Sequence, residues 1–210
     1  MTAHDREHPR RSIRLDGYDY AESGAYFVTI CTQDHLCLFG EIIDGDMRMT
    51  NPGDMVQAVW DELPSHYPGV STDAFVVMPN HIHGIIMLAS VGAGPRACPG
   101  SARSKEGQPQ GVAPTRGGAP AMSLGDVVAR FKTLTTRRYT EGVRQSGWWP
   151  FPGRLWQRNY YEHIIRNEQA LNHIRRYIVG NPQRWAQDRE NPAATAPEAP
   201  DAWRVERDSP

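Results

Sequence analysis

The chain has 210 residues, 39% hydrophobic and 9% aromatic, enough for one substantial domain with its own core and too apolar for wholesale disorder. No apolar run is long enough to cross a bilayer, and the polar N-terminus MTAHDREHPRRSIRL lacks the apolar core of a signal peptide. Three cysteines (Cys31, Cys37, Cys98) with no CxxC pair point to a reducing, cytoplasmic setting and away from a zinc knuckle. The net charge of −1 conceals an asymmetry: residues 16–89 carry eleven acids against one base, Arg48, whereas 123–189 carry twelve Lys or Arg against five acids. A basic, aromatic-bearing C-terminal half fits a polyanionic partner, and equally a set of solvated helix faces.

In chain order, GAYFVTICTQ (24–33) is β-branched, aromatic and roughly alternating, which predicts a strand. LFGEIIDGDMRMT (38–50) predicts a hairpin turning on Asp44-Gly45. Apolar Met55, Val56, Val59, Trp60 and Leu63 have helical spacing, with a cap at Asn51 and an end near Pro64. DAFVVMPNHIHGIIML then reads as two strands joined tightly around Pro79-Asn80. Gly, Pro, Ala and Ser dominate 90–122, which predicts a flexible insertion. SLGDVVARFKTLTTRRY follows as a helix with Ser123 as its cap, SGWWPFPGRLW as an irregular connection, and QRNYYEHIIR as a strand. Asn167 caps a last helix that Pro182 stops. The resulting organisation is a basic arm (1–15), a single domain (16–189) and a disordered acidic tail (190–210). The fold class is α+β: a mainly antiparallel sheet with helices packed on it, expected on one face, for which a ferredoxin-like topology is one compatible arrangement.

VVMPNHIHGII (76–86) sets two histidines inside an apolar strand. Residues i and i+2 share a face, so His81 and His83 project side by side while Ile82 points the other way. Two neutral imidazoles so placed can chelate one divalent cation, although buried histidines are also often plain core residues. The zinc deaminase and HExxH signatures are absent. A two-histidine site needs a further ligand, and its open positions suit polarisation of a phosphate oxygen. In the last helix Tyr177 and Asn181 form an i, i+4 pair; Arg175 and Arg176 add positive charge, and the Asn181 carbonyl oxygen can complete a metal shell. Lys132, Arg137 and Arg138 are candidate phosphate contacts, and Trp148, Trp149 and Trp156 candidate stacking surfaces.

Taken together, HIH within VVMPNHIHGII, GAYFVTICTQ with LFG, FKTLTT, and LWQRNYYEHIIR leading into YIVGNP resemble the recurring blocks of the single-tyrosine HUH transposases. The likeness spans about 11–188 and is nearest to the transposases of the smallest insertion sequences and the REP-associated tyrosine transposases. That resemblance implies a ferredoxin-like HUH fold and Mg²⁺ or Mn²⁺ held by His81 and His83, with Asn181 at the position of the third ligand. It implies Tyr177 as the nucleophile that cleaves and rejoins single-stranded DNA at hairpins, REP-like or insertion-sequence ends, through a 5′-phosphotyrosine. Relatives include monomers and homodimers. The alternative is a domesticated hairpin-DNA-binding protein without catalysis; a cupin-like metalloenzyme is disfavoured because that fold wants many more strands and a nearby Glu followed by a third His after His83.

Overall fold

The computed structural model describes residues 22–89 and 122–199. The basic arm, all but the last residue of the 90–122 insertion, and the end of the tail lie outside them.

β1 (Gly24–Cys31), β4 (Val70–Val77), β5 (His81–Leu88) and β6 (Tyr161–Ile165) form one antiparallel sheet in the order β4-β5-β1-β6. β2 (Gly40–Ile43) and β3 (Asp46–Met49) form a separate hairpin. Its turn holds Asp44 at φ 52° and Gly45 at φ 83°, the left-handed pair that a two-residue hairpin loop requires. α1 (Asn51–His66) connects β1, by way of this hairpin, to β4, and α2 (Leu124–Ser146) connects β5 to β6. Each crossover skips one strand, giving the ferredoxin-like arrangement.

The central strands β1 and β5 are apolar on both faces because both faces are covered. Tyr26, Val28, Ile30, Ile82 and Ile86 pack against Val56, Val59, Trp60 and Leu63 of α1 and Val127, Val128 and Phe131 of α2. Gly84 is needed there: a Cβ would lie 2.5 Å from two ring carbons of Trp60. Phe27, Ile85 and Ile165 on the opposite face pack against Ile174 and Ile178 of α3 (Glu168–Val179). At roughly 1.5–3 kcal/mol for each large aliphatic buried, these two isoleucines are the main force docking α3. The expectation of helices on one face thus holds for the crossover helices alone. The odd-numbered apolar positions of β1 and β5 demand a second cover, and α3 supplies it.

Local signals behave largely as their chemistry predicts. Ser123 and Asp126 form a reciprocal capping box at the start of α2, and Asn167 Oδ1 accepts from the Ala170 amide at 2.8 Å. Thr50 rather than Asn51 occupies the N-cap position of α1, without a side-chain capping bond, and the helix runs two residues past Pro64. α2 continues beyond its expected end to Gly147, whose φ of 66° terminates it. The tail departs from expectation over 190–199: Glu198 N–H donates to Gln187 O at 2.7 Å, and Asn191 Nδ2 to Trp185 O at 2.9 Å. Backbone and asparagine hydrogen bonds, invisible to composition, hold this stretch to the domain.

Candidate active site

The register Thr29↔His83 and Cys31↔His81 aligns these four side chains at one end of the sheet, on the α3 face. His81 and His83 are buried, and their Nε2 atoms face each other at 3.1 Å. What surrounds them decides which nitrogen carries the proton. Asn80 Nδ2 donates to the carbonyls of His35 (3.1 Å) and Glu190 (2.6 Å), which leaves Asn80 Oδ1 as an acceptor. His81 Nδ1 lies 2.9 Å from that oxygen, so Nδ1 bears the proton and Nε2 presents its lone pair to the site. Thr29 Oγ1, 2.8 Å from His83 Nδ1, can likewise accept its proton and free His83 Nε2 as a ligand.

Burial keeps both rings neutral. It brings the His81 pKa down to about 3 and holds that of His83 well below the ordinary range, where the charges of His81 and Arg184 add to the effect. Neutral imidazole is the form that ligates a metal. Asp188, also buried, puts Oδ2 3.7 Å from His81 Nε2, while its Oδ1 accepts the Glu190 amide at 2.7 Å. His81, His83 and Asp188 thus present one donor atom each within 4.8 Å of one another. Asn181 is a fourth candidate donor beside them: it is buried, its Oδ1 has no hydrogen-bond partner, and its side chain hydrogen-bonds Tyr177 and Asp188, favouring their charged forms.

A divalent ion suits this donor set. Two donors about 2.1 Å from one ion at a right angle are roughly 3.0 Å apart, close to the observed imidazole separation. The orphaned Asn181 oxygen is an arrangement that a cation relieves, as are the two Nε2 lone pairs once Thr29 accepts the His83 proton.

Tyr177 sits beside this group, its ring centroid 5.4 Å from that of His83 and edge-on to Phe27 at 6.0 Å. It lines a cavity of about 110 Å³ with Thr29, His83, Tyr161, Asp188, Glu190 and Glu198. Burial raises the phenol's pKa, as do the charges of Asp188 and Glu198, against the opposing effect of Arg184. The arginine that serves Tyr177 is therefore not one of those expected from sequence. Arg184 lies over the ring at 4.6 Å and donates to the Tyr177 carbonyl at 3.1 Å. Arg175 instead grips Asp73 of β4 through two hydrogen bonds (2.8 and 2.6 Å), and Arg176 faces solvent.

The remaining basic candidates separate by environment. Lys132 Nζ donates to the carbonyls of Gln157, Arg158 and Asn159 at 2.9, 3.2 and 3.1 Å, and burial lowers its pKa to about 8. It clamps the connection before β6 rather than projecting to a ligand. Arg138 pairs bidentately with Glu62 at 2.9 and 2.6 Å. Arg137 is exposed. Of the tryptophans, Trp156 is buried and donates to Thr135 Oγ1 at 2.8 Å, Trp148 packs on Tyr139, and Trp149 is 82% exposed. Tyr160 packs toward the α1/α2 core under Lys132, whereas its neighbour Tyr161 joins Tyr177 in the cavity.

The sequence reading missed Asp188, Arg184, Asn80 and Thr29. Asn80 borders the HIH motif, and Thr29 lies within a strand whose pairing with β5 sequence alone does not specify. Asp188 lies in QRWAQDRE, where two acids alternate with two arginines and neither acid has a motif to single it out.

No family model matches the chain. A REP-associated tyrosine transposase, solved bound to a REP hairpin, is 18% identical to it and aligns over 82% of this chain and 72% of that one, with a TM-score of 0.46. A candidate transposase from Deinococcus radiodurans R1 is 16% identical over 82% of this chain and 98% of that one, with a TM-score of 0.39. An uncharacterized protein of Haemophilus influenzae is 39% identical over 184 residues, 86% of this chain and 92% of its relative. At that identity over nearly the full length of both, the chain belongs to the same family as the Haemophilus influenzae protein.

Proposed function

We propose that this chain is a metal-dependent transposase that cleaves and rejoins hairpin-containing single-stranded DNA through a 5′-phosphotyrosine on Tyr177. The observation that carries the reading is the convergence of Tyr177 with two neutral imidazoles whose Nε2 atoms meet at 3.1 Å. Packing alone does not require a phenol, two histidines, a carboxylate and an orphaned amide oxygen in one buried group.

His81 Nε2, His83 Nε2 and Asp188 Oδ2, with Asn181 Oδ1, would hold Mg²⁺ or Mn²⁺. The ion supplies Lewis-acid polarisation of the scissile phosphate. Asn80 and Thr29 hold the two imidazoles in the ligating tautomer. Tyr177 Oη attacks phosphorus, the Oη–P bond forms, the P–O3′ bond breaks, and the departing 3′-oxygen takes up a proton. The phenolic proton leaves toward Glu198, the cavity carboxylate outside the metal shell whose charge already acts on the phenol. A phenol of pKa about 10 is ionised only to about one part in a thousand at pH 7, and burial deepens that deficit here. Arg184 over the ring is this chain's opposing charge. The phosphotyrosine conserves the bond, so a DNA 3′-hydroxyl can reverse the step and complete strand transfer without ATP.

One observation favours the binding-only alternative: Asp188, Glu190 and Glu198 all line the cavity that would receive phosphate. The test is incubation with labelled hairpin-bearing single strands from the chain's own genomic flanks, with Mn²⁺ or EDTA, followed by denaturing electrophoresis. A metal-dependent adduct that Tyr177→Phe and His81→Ala abolish supports catalysis. Hairpin binding without adduct supports the silent binder, and an adduct that persists in Tyr177→Phe but not Tyr161→Phe moves the nucleophile to Tyr161.

A further inference from the structure

A second group of ligating side chains lies beside the first and takes no part in the proposed chemistry. Cys31 ends β1, directly across from His81. His35 lies in the short 3₁₀ turn that follows (Gln33–His35), and Glu190 is two residues past Asp188. One donor atom from each lies within 4.8 Å of the others. The cysteine is buried and unpaired. His35 Nδ1 is shielded from solvent yet has no hydrogen-bond partner, although Glu190 Oε2 is 3.4 Å away. Burial and the Glu190 charge hold the Cys31 thiol protonated, and it hydrogen-bonds the Glu190 carboxylate; a metal ion would displace that proton. Lys132, the cation that acts on Cys31, has its ammonium spent on three carbonyls.

We propose that Cys31, His35 and Glu190 form a second metal site, distinct from the His81/His83 centre and selective for a thiophilic divalent ion of the zinc class. Thiolate sulfur, imidazole nitrogen and carboxylate oxygen are the three ligand types zinc takes, whereas Mg²⁺ disfavours sulfur. Tetrahedral donors at about 2.0–2.3 Å from an ion lie roughly 3.3–3.8 Å apart. The His35–Glu190 separation of 3.4 Å already meets this, and all three donors lie within 4.8 Å of one another. His35 Nε2 lies 3.1 Å from the Gln157 side-chain amide. Turned so that its oxygen accepts from Nε2–H, that amide leaves Nδ1 as the ligand. The scaffold is already tied together: Gln157 N–H donates to the Cys31 carbonyl at 2.9 Å, and Asn80 bridges the His35 and Glu190 carbonyls. An ion here fixes Glu190, whose amide holds Asp188 Oδ1, and so positions the carboxylate at the first centre.

Cobalt(II) titration of the chelator-stripped full-length chain tests this, because thiolate-to-cobalt charge transfer reports sulfur ligation directly. The expected result is a charge-transfer band that saturates with one equivalent of sulfur-ligated cobalt, apart from any cobalt at the His81/His83 centre, and that excess Mg²⁺ does not remove. The band vanishes in Cys31→Ser, persists in Cys37→Ser and His81→Ala, and in Glu190→Gln needs roughly tenfold more cobalt or beyond. Circular dichroism establishes that each variant is folded. A folded chain with no charge-transfer band overturns the proposal. So does a band that survives Cys31→Ser, since the sulfur is then Cys37 or Cys98. Should Cys31→Ser fail to fold, an unchanged cobalt affinity in Glu190→Gln is the overturning result.

Discussion

Asn80 holds the first centre's tautomer and the adjoining loops together, so its replacement separates two roles. It is fully buried, and its side chain makes three hydrogen bonds: from His81 Nδ1 (2.9 Å), to His35 O (3.1 Å) and to Glu190 O (2.6 Å). Asn80→Ala removes all three and strands a ring N–H and two carbonyls. At about 1 kcal/mol net per hydrogen bond, with a further penalty where the stranded group stays dry, the loss is on the order of 3–5 kcal/mol. Metal affinity falls as well, because nothing then holds the His81 proton on Nδ1; loss of such a supporting partner costs about 10–100-fold. Asn80→Asp distinguishes the two effects. Its carboxylate still accepts from Nδ1–H, so Mn²⁺ affinity is retained, but it faces two carbonyl oxygens and loses stability at least as severely as the alanine variant. Mn²⁺ titration by calorimetry and urea melts on all three proteins measure this. Folded Asn80→Ala that binds Mn²⁺ as tightly as the parent would refute the tautomer argument.

Four further outcomes are expected. With His81 and His83 held neutral in the fold, the unfolded chain binds more protons between the His81 value of about 3 and the ordinary histidine value, so stability is full above about pH 6.5 and is lost as pH falls. The slope is about 1.4 kcal/mol per pH unit for each histidine; urea melts between about pH 5 and 6.5 should show it flattened in His81→Gln, and an unchanged slope contradicts the assignment. Gly84→Ala pushes a methyl into Trp60, itself stacked on Phe75 at 4.3 Å, and should cost about 1–3 kcal/mol by thermal or chemical melt. Lys132→Met should destabilise by freeing three carbonyls while leaving the salt dependence of DNA binding intact. Arg137→Ala should do the reverse, lowering the log–log salt slope by about 0.7, which filter binding across a salt series resolves. Two imidazoles beside two oxygens should bind Mn²⁺ more tightly than Mg²⁺, and calorimetry showing the opposite order would remove the imidazoles from the shell.

Much of the architecture follows from local chemistry. The β-branched and aromatic run GAYFVTIC, the Asp44-Gly45 turn, the Ser123 capping box and the Asn167 cap each specify their element within a few residues. The i, i+2 geometry of a strand likewise puts His81 and His83 side by side whatever the rest of the chain does. Tyr177 stands out in the sequence through its i, i+4 pairing with Asn181, and as a candidate nucleophile only through its place in a recurring set of motifs. The covering of both sheet faces, the partners of each arginine and the identity of the carboxylate beside the two histidines belong to the tertiary structure. Arg175 and Arg184 are equally basic in sequence; the docking of α3 beside β4 gives one to Asp73 and the turn after Asn181 lays the other over Tyr177. Asp188 becomes a ligand candidate because Asn80, more than a hundred residues earlier, bonds the Glu190 carbonyl and draws that turn onto the histidines. Periodicity and capping act over a few residues and can be read from the chain. Long-range pairing of buried polar groups depends on which surfaces meet, and only the folded sheet decides that.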